Sequence, residues 1–178
     1  MGRFRKIFAS LALVLFGSIL AYLFFLQTNP SCPSSIRPVF SPGSESVFIG
    51  LAGNSKKGIS AELYQFSYSP LLEELVRAAG RGVKVRVILD RTVDSNYPTA
   101  KALSEGGVEV RIASRNFERV HSKFATFDDS ILVGSTNWSF HAMFLNREAA
   151  VVLKDDSSLL AFERVFGEDW ASSEPFIS

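Results

Sequence analysis

The period of the apolar positions along residues 39–172 switches repeatedly between two and 3.6, which predicts alternating strands and helices. Apolar runs and two-residue alternation predict strands at 39–40, 59–66, 83–89, 108–112, 123–127, 131–133 and 148–153. Apolar residues at helical spacing predict helices at 44–54, 69–80, 97–104 and 157–170. We therefore expect an α/β fold with a mixed, largely parallel β-sheet and helices on both of its faces.

Several boundaries of these elements are marked by individual residues. Ser44 is the expected N-cap of the first helix, and Pro70 occupies the first helical position of the second, which Gly80 ends. The turn Asp128-Asp129-Ser130 separates two β-rich runs and predicts a hairpin.

The first 26 residues predict a membrane anchor. Residues 7–26 carry no formal charge, and twenty residues of helix are enough to cross about 30 Å of hydrocarbon. The preceding bases Arg3, Arg5 and Lys6 predict a single-pass membrane protein with a cytoplasmic N-terminus and an extracytoplasmic main domain. The run is longer than a signal-peptide core, so we favour an uncleaved anchor; cleavage would give a secreted or periplasmic protein. Residues 27–38 are rich in Pro, Ser and Asn and predict a linker before a domain at 39–178.

Composition and charge limit the kind of protein. The 178 residues are 47% hydrophobic and 21% charged, which excludes a collagen, a low-complexity chain and a disulfide scaffold. The single cysteine, Cys32, excludes an intrachain disulfide and a multi-cysteine zinc site. Residues 31–178 carry 16 bases and 18 acids, which argues against binding nucleic acid through overall charge, although a local basic patch stays open.

The segment from His121 to Glu148 has the residue types that phosphate chemistry requires. On a strand, His121 and Lys123 point to the same side and can present an imidazole and an ammonium to one phosphate. A neutral imidazole can attack phosphorus or transfer a proton, while a lysine and the Ser135 and Asn137 side chains can stabilise charge on oxygen. A carboxylate on the far imidazole nitrogen would fix the tautomer.

These residues resemble the signature of the phospholipase D superfamily, H-x-K-x4-D followed by G-S-x-N and a later Glu. His121, Lys123 and Asp128 match the first part, and Ser135, Asn137 and Glu148 follow in order. Five residues separate Asp128 from Gly134, where the family commonly has six, so we predict a shorter hairpin, with Asp129 as the alternative to Asp128. The sequence RGVKVRVILD at 81–90 is also similar, and the resemblance covers residues 39–172, nearly the whole phospholipase D-like catalytic domain.

The single copy of the motif has a consequence within this family. Single-motif members, such as the Nuc-type endonucleases and the Zucchini/mitochondrial phospholipase D group, build one active site from two chains. The resemblance therefore implies a homodimer in which His121 of one subunit forms a phosphohistidine and His121 of the other transfers protons. It further implies that Lys123 and Asn137 hold the phosphate, that Ser135 assists, that Glu148 orients His121, and that no metal or other cofactor is required.

Substrate contacts are expected beside the motif. Arg115 and Arg119 lie just before His121, and residues 77–123 hold ten bases and five acids, which favours a local basic surface. His141 has no comparable neighbours along the chain and is expected at the surface near the site.

Three functions remain open. The leading hypothesis is a metal-independent phosphodiesterase that acts as an endonuclease on DNA or RNA. The second is a phospholipase D that hydrolyses phospholipid head groups such as that of cardiolipin, which a membrane anchor would favour. The third is a catalytically silent phosphate-binding module, against which the intact His121, Lys123, Asn137 and Glu148 argue.

Overall fold

The computed structural model describes residues 15–20 and 35–177, and the chain forms two compact units, Met1–Cys32 and Pro33–Ser178. In the first unit, residues 15–20 are helical and exposed. The rest of the predicted anchor, and the linker with Cys32 up to residue 34, lie outside the described residues. Within the two described stretches, no helix has the length and apolar character needed to span a membrane.

The second unit is built on an eight-stranded sheet in the order β1-β7-β6-β5-β2-β3-β4-β8. The strands are β1 Ser35–Phe40, β2 Gly58–Leu63, β3 Lys84–Leu89, β4 Glu109–Ile112, β5 Lys123–Phe127, β6 Ser130–Gly134, β7 Ala149–Lys154 and β8 Glu174–Pro175. The mixed sheet is confirmed, but the expectation that it is largely parallel is wrong. Among the pairs that these strands form within residues 35–177, β2–β3 and β3–β4 are parallel; the other five are antiparallel.

Short connections explain the antiparallel half of the sheet. The predicted hairpin is confirmed: β5 and β6 pair with Phe127 opposite Ser130, so that only two residues form the turn. Such a turn allows only antiparallel pairing, whereas parallel strands need a crossover of a dozen or more residues. The helices between β2, β3 and β4 provide such crossovers, and the parallel pairing is limited to these strands.

Helices cover both faces of the sheet, as predicted. They are α1 Glu45–Asn54, α2 Ser69–Gly80, α3 Asn96–Glu105, α4 Phe140–Phe144 and α5 Asp156–Ser172. Buried residues of α1 to α4, including Phe48, Leu75 and Leu103, pack in the larger core with Ile59, Ala61 and Leu63 of β2. A second core on the other face joins Ile88 and Phe124 to Phe166 of α5.

Local signals account for some helix boundaries and not for others. Pro70 lies in the first turn of α2 as expected. Ser44 precedes α1, but its side chain makes no capping hydrogen bond and instead points its hydroxyl at Sδ of Met143, 3.5 Å away. The side-chain caps lie elsewhere: Ser139 accepts from the amide of Ala142, and Asp155 accepts from the amide of Ser158.

Strand β1 begins at Ser35, four residues before the predicted start, so residues 35–38 of the predicted linker belong to the sheet. It pairs with β7 along its full length, from Ser35 opposite Lys154 to Phe40 opposite Ala149. Because β1 is an edge strand, Pro38 is tolerated there. Backbone pairing therefore orders a segment whose composition is typical of a linker.

Gly134 is required where β6 leaves the sheet. A Cβ atom at this position would lie 2.3 Å from the carbonyl oxygen of Ala149 and 2.4 Å from Cα of Ala150. The backbone of β7 therefore occupies the space that any other side chain would need. This close approach fixes the path of the residues that follow, Ser135 to Asn137.

Asp128 occupies the β5–β6 turn with a positive φ of 50°. Its carboxylate accepts hydrogen bonds from the amides of Lys56 (2.8 Å), Lys57 (2.8 Å) and Gly58 (3.0 Å), which form the entry to β2. Burial raises the pKa of Asp128, but these three amides and the charge of Lys57 outweigh burial and hold the pKa below its usual range. The neighbouring Asp129 is exposed and pairs with Lys154.

We expect Asp128→Ala to lower the free energy of unfolding by about 1–3 kcal/mol, because it removes three hydrogen bonds to a charged acceptor. Asp128→Asn keeps one acceptor oxygen and should cost less, and Asp129→Ala should change stability by less than about 0.5 kcal/mol. Urea unfolding at pH 7 measures all three variants.

The pH dependence of this effect has a defined sign. A carboxyl with a lowered folded-state pKa contributes stability above its unfolded pKa, and that contribution is lost as the pH falls through the folded pKa. The difference between wild type and Asp128→Asn should therefore shrink below pH about 4. A difference that stays constant to pH 2 would contradict the role assigned to the carboxylate.

Candidate active site

All predicted catalytic residues except Asp128 gather at the edge of the sheet where β2 and β3 end and β5 and β7 begin. Lys123 is the first residue of β5 and lies opposite Leu63, the last residue of β2. His121 precedes β5 by two residues, and Glu148 directly precedes β7. The amide of Tyr64 donates to the carbonyl of Ser122 (2.9 Å), which extends the β2–β5 pairing to the residue between His121 and Lys123.

His121, Lys123 and Tyr64 form the centre of this edge. The ammonium of Lys123 lies 3.2 Å from Nδ1 of His121 and donates to the carbonyl oxygen of His121 at 2.6 Å. The ring of Tyr64 packs on the imidazole with centroids 4.3 Å apart, and the ammonium lies 4.9 Å from the Tyr64 ring centroid. The Tyr64 ring thus packs against the imidazole and also stabilises the nearby ammonium of Lys123 by a cation–π interaction.

The imidazole is exposed while the lysine is buried. Because Nδ1 faces Lys123, the opposite nitrogen, Nε2, is the one that can meet a substrate. Burial lowers the pKa of Lys123 below its ordinary value, and the charges of Glu148 and then Asp90 oppose that shift. Two acids close to Lys123 thus favour its cationic form at this edge.

Glu148 lies in a hydrogen-bonded group with Ser135 and Asn146. The hydroxyl of Ser135 donates to Oε2 of Glu148 (2.5 Å), and the side-chain amide of Asn146 donates to Oε1 (3.1 Å). The backbone amide of Glu148 donates to the hydroxyl of Ser41 (3.1 Å). The sequence interpretation placed Glu148 on His121; in this structure its carboxylate bonds Ser135 and Asn146, and Lys123 occupies the Nδ1 side of the imidazole.

Asn137 lies in the loop that follows β6 on the same edge. This loop is pinned to the end of β2, because the amide of Trp138 donates to Gln65 (3.0 Å) and the carbonyl of Trp138 accepts from Ser67 (2.8 Å) and Tyr68 (3.0 Å). Oδ1 of Asn137 is buried and has no hydrogen-bond partner in the described part of the chain.

Asp128 is not part of this edge. It lies at the other end of β5, which at five residues separates it from Lys123 by about 17 Å along the strand. The expectation of a catalytic Asp128 is therefore wrong for the site that this chain forms. Its hydrogen bonds to the entry of β2 make it a structural residue, and Asp129 in the same turn cannot replace it at the site.

Two polar residues that the sequence interpretation did not assign support the site. Asp90 is fully buried and accepts from the amides of Val120 (2.5 Å) and Thr92 (2.7 Å), which fixes the backbone directly before His121. Asn96 accepts from the amide of Phe66 (2.9 Å) and donates to the carbonyls of Tyr64 and Asp90 (2.9 Å each). A sequence signal existed for Asp90, because it ends the apolar strand at 84–89.

The predicted substrate-binding arginines lie in the exposed loop that leads to His121. Arg115 is exposed, with its Nε 3.7 Å from Glu174, and Arg119 approaches Glu118 at 3.5 Å. Arg91 donates to the carbonyls of Phe117 and Glu118 (2.9 Å each), so a third base holds this loop. The side chain of Phe117 is exposed in the same loop.

A cavity of about 670 Å³ lies at the opposite edge of the sheet, and its lining includes Arg37, Asp128 and Lys154. It is distant from His121 and is not the catalytic site. Residues 15–20 and 35–177 contain no group of three or more His, Cys, Asp or Glu side chains that could hold a metal ion.

Comparison with known proteins agrees with this geometry. A family profile described as "Cardiolipin synthase, PLD-like domain" matches residues 48–170. The mitochondrial cardiolipin hydrolase of Mus musculus is 33% identical over 155 residues, which are 84% of this chain and 68% of that protein. The enzyme of the same name from Chlamydomonas reinhardtii is 24% identical over 166 residues, 86% of this chain and 74% of that protein.

A solved structure supports the fold. The crystal structure of Nuc, a phospholipase D family member from Salmonella typhimurium, matches with a TM-score of 0.75 and 24% identity over 81% of this chain and 99% of that one. The family profile covers more than half of the chain and includes His121, Lys123, Ser135, Asn137 and Glu148. The chain therefore belongs to the phospholipase D-like family, and its phospholipase D-like fold is confirmed.

Proposed function

We propose that this protein is a metal-independent endonuclease that cleaves DNA or RNA through a phosphohistidine intermediate, in an active site shared by two copies of the chain. The broader prediction of a phosphodiester hydrolase is confirmed at the level of the family. The observation that carries the proposal is the pairing of an exposed imidazole with a buried ammonium 3.2 Å away.

In the first step, Nε2 of His121 attacks phosphorus and forms an N–P bond. The bond from phosphorus to the leaving oxygen breaks, and that oxygen takes its proton from His121 of the partner subunit. Lys123 and Asn137 stabilise the negative charge on the non-bridging oxygens. In the second step, the partner's imidazole removes a proton from water, the resulting oxygen attacks phosphorus, and the N–P bond breaks.

The hydrogen bonds around His121 suggest how substrate prepares the nucleophile. Attack by Nε2 needs the imidazole proton on Nδ1, yet Nδ1 faces the Lys123 ammonium. An arriving phosphate would attract this ammonium, and the charge of Glu148 already acts on Lys123. Movement of Lys123 toward the phosphate would leave Nδ1–H to donate to Glu148, which is the orienting role predicted for that carboxylate.

The surface beside the site favours nucleic acid as substrate. The loop before His121 exposes Arg115, Phe117 and Arg119, and the short helix after Asn137 exposes Phe140. Basic side chains interleaved with exposed aromatic rings suit a single-stranded nucleic acid. The cations can pair with its phosphates, and its unstacked nucleobases can stack on the rings. The second candidate is hydrolysis of a phospholipid head group, because several relatives are named cardiolipin hydrolases.

The dimer and the membrane anchor remain proposals. One chain supplies one His121 and one Lys123, and the mechanism above needs two imidazoles. Residues 7–26 would span the membrane, with the N-terminus in the cytoplasm and the enzyme domain on the extracytoplasmic side. This arrangement is compatible with either substrate.

The substrate assignment is tested by incubating the protein with single-stranded DNA, RNA, cardiolipin vesicles and phosphatidylcholine vesicles in EDTA. We expect cleavage of nucleic acid with the chelator present. Turnover of lipid without cleavage of nucleic acid would contradict the nuclease assignment and support hydrolysis of a phospholipid head group.

The nucleophile is tested by His121→Ala, which should lower kcat by at least about a thousand-fold while the unfolding transition is preserved. His141→Ala is the matched control, since that imidazole is also exposed. It should retain kcat within about threefold. Trapping with labelled substrate should give an acid-labile phosphoryl adduct in the wild type and in the control but not in His121→Ala, and full activity in His121→Ala would refute the mechanism.

The shared site is tested by mixing wild-type protein with inactive His121→Ala subunits and allowing them to exchange. If each site needs His121 from both chains, activity should fall with the square of the wild-type fraction. A linear fall, or full activity from a protein shown to be monomeric at the assay concentration, would contradict a shared site.

A further inference from the structure

A buried acidic residue lies directly behind the catalytic segment. Glu62 is in β2, only 4% exposed, and pairs in register with Phe124 of β5 and Ile88 of β3. These two neighbours belong to the core that α5 covers, so Glu62 lies on that face of the sheet. The hydroxyl of Ser122 donates to its Oε1 atom. Since Ser122 separates His121 from Lys123, Glu62 holds the catalytic segment from the face opposite the catalytic side chains.

The second oxygen of Glu62 needs a partner. Oε2 is buried and has no hydrogen-bond partner in the described part of the chain. The side chain of Asp169 on α5 acts on Glu62 by its charge and as a hydrogen-bond partner, and a hydrogen bond between two carboxyl groups requires a proton between them. Two carboxylates this close cannot both ionise at low cost, and a single proton between them would satisfy Oε2.

Burial raises the pKa of Glu62 to about 7, the Ser122 hydroxyl opposes this rise, and the nearby Asp169 adds to it. Glu62 would therefore lose its proton close to neutral pH.

Other charged groups on this face have their own partners. Arg86 of β3 bonds Ser60 and Glu163 and lies over the ring of Phe166. Arg111 of β4 donates to the carbonyls of Trp170 and Ser173. Glu163 of α5 also accepts from the hydroxyl of Thr126, while His121 and Lys123, on either side of Ser122, project from the opposite side of the segment. The two arginines are thus engaged away from Glu62, and neither supplies a charge that would stabilise its ionised form.

We propose that Glu62 and Asp169 share one proton and act as a positioning pair, holding Ser122 and with it the geometry of His121 and Lys123. With the proton present, hydrogen bonds run from Ser122 to Glu62 and from Glu62 to Asp169. Loss of the proton places two like charges next to each other between β2 and α5, one of them on the buried Glu62, and their repulsion loosens the segment that carries His121. Activity therefore declines as the pH rises through neutrality, a conclusion that rests on the proposed phosphodiesterase function.

The proposal is tested with Glu62→Gln in the full chain. The introduced side-chain amide would accept from Ser122 and donate to Asp169 without titrating, so this variant keeps the hydrogen bonds and loses the pH response. With bis(p-nitrophenyl) phosphate as substrate, wild-type kcat should fall about fivefold between pH 7 and 8, while Glu62→Gln should change less than about twofold, with KM similar in both. Glu62→Ala should lower kcat at every pH.

Glu163→Gln is the matched control, because it lies on the same face and bonds Ser60, Thr126 and Arg86 instead of the catalytic segment. Its pH profile should match that of the wild type. An identical high-pH decline in wild type and Glu62→Gln would overturn the proposal.

Two further measurements do not depend on activity. The infrared band of a protonated carboxyl at pH 6 should be present in the wild type and missing in Glu62→Gln. A raised folded-state pKa gives stability that is fully present below pH about 4.5 and lost as the pH rises to about 7, so wild-type stability should fall over this range relative to Glu62→Gln.

Failure of the proposed function is distinguishable from failure of this inference. If the chain hydrolyses no phosphodiester, the pair is judged by the infrared band and by the NMR signals of the His121 imidazole. These signals should shift near pH 7 in the wild type in a step that Glu62→Gln removes. A missing band, or imidazole signals that behave alike in both proteins, refutes the positioning pair.

Discussion

The antiparallel pairing of β5 with β2 is the constraint on which the active site depends. It sets Lys123 opposite Leu63 and Phe127 opposite Ile59, and the hydrogen bond from Tyr64 to Ser122 continues it by one residue. One end of β5 therefore delivers His121 and Lys123 to the edge where β2 and β3 end. The other end delivers Asp128 to the entry of β2, where its carboxylate closes the same pair of strands. A slip of one residue would exchange the faces of every side chain on β5 and carry His121 and Lys123 together to the side of the sheet that α5 covers.

Buried polar groups make this edge rigid, since each segment of the site is attached to a neighbouring strand. Asp90 holds the backbone before His121, Asn96 joins the ends of β2 and β3, and the loop after Gly134 is bound to Gln65 and Ser67. The imidazole of His121 itself remains at the surface, with the buried ammonium of Lys123 directly beside it. A rigid backbone beneath an exposed imidazole suits a reaction that needs precise placement of phosphorus and no enclosed pocket.

Much of this arrangement is predictable because it depends on residues that are close in sequence. The βα alternation, the β5–β6 hairpin and the motif that contains His121 and Lys123 are of this kind. The parallel character of the sheet is over-predicted because long-range packing sets the partner of β5, and periodicity does not encode it. The same limit explains the error at the site: sequence order groups Asp128 with the motif, but a strand of five residues carries it to the far edge of the sheet. Conversely, Asp90 and Glu62 are distant in sequence and become neighbours of the catalytic segment only after β2, β3 and β5 pair.

The two-residue period of a strand also explains why the side chains that face the site and the side chain that anchors the segment occupy different sides. His121 and Lys123 project to one side, and Ser122 between them projects to the other, where Glu62 receives its hydroxyl. On the face of His121 and Lys123, Ser122 therefore adds no side chain, because its hydroxyl is held from the side that α5 covers. This division places a titratable carboxyl out of reach of the substrate yet one residue from both catalytic groups. Under the proposed mechanism, a change of charge on Glu62 reaches His121 through the adjacent residue Ser122.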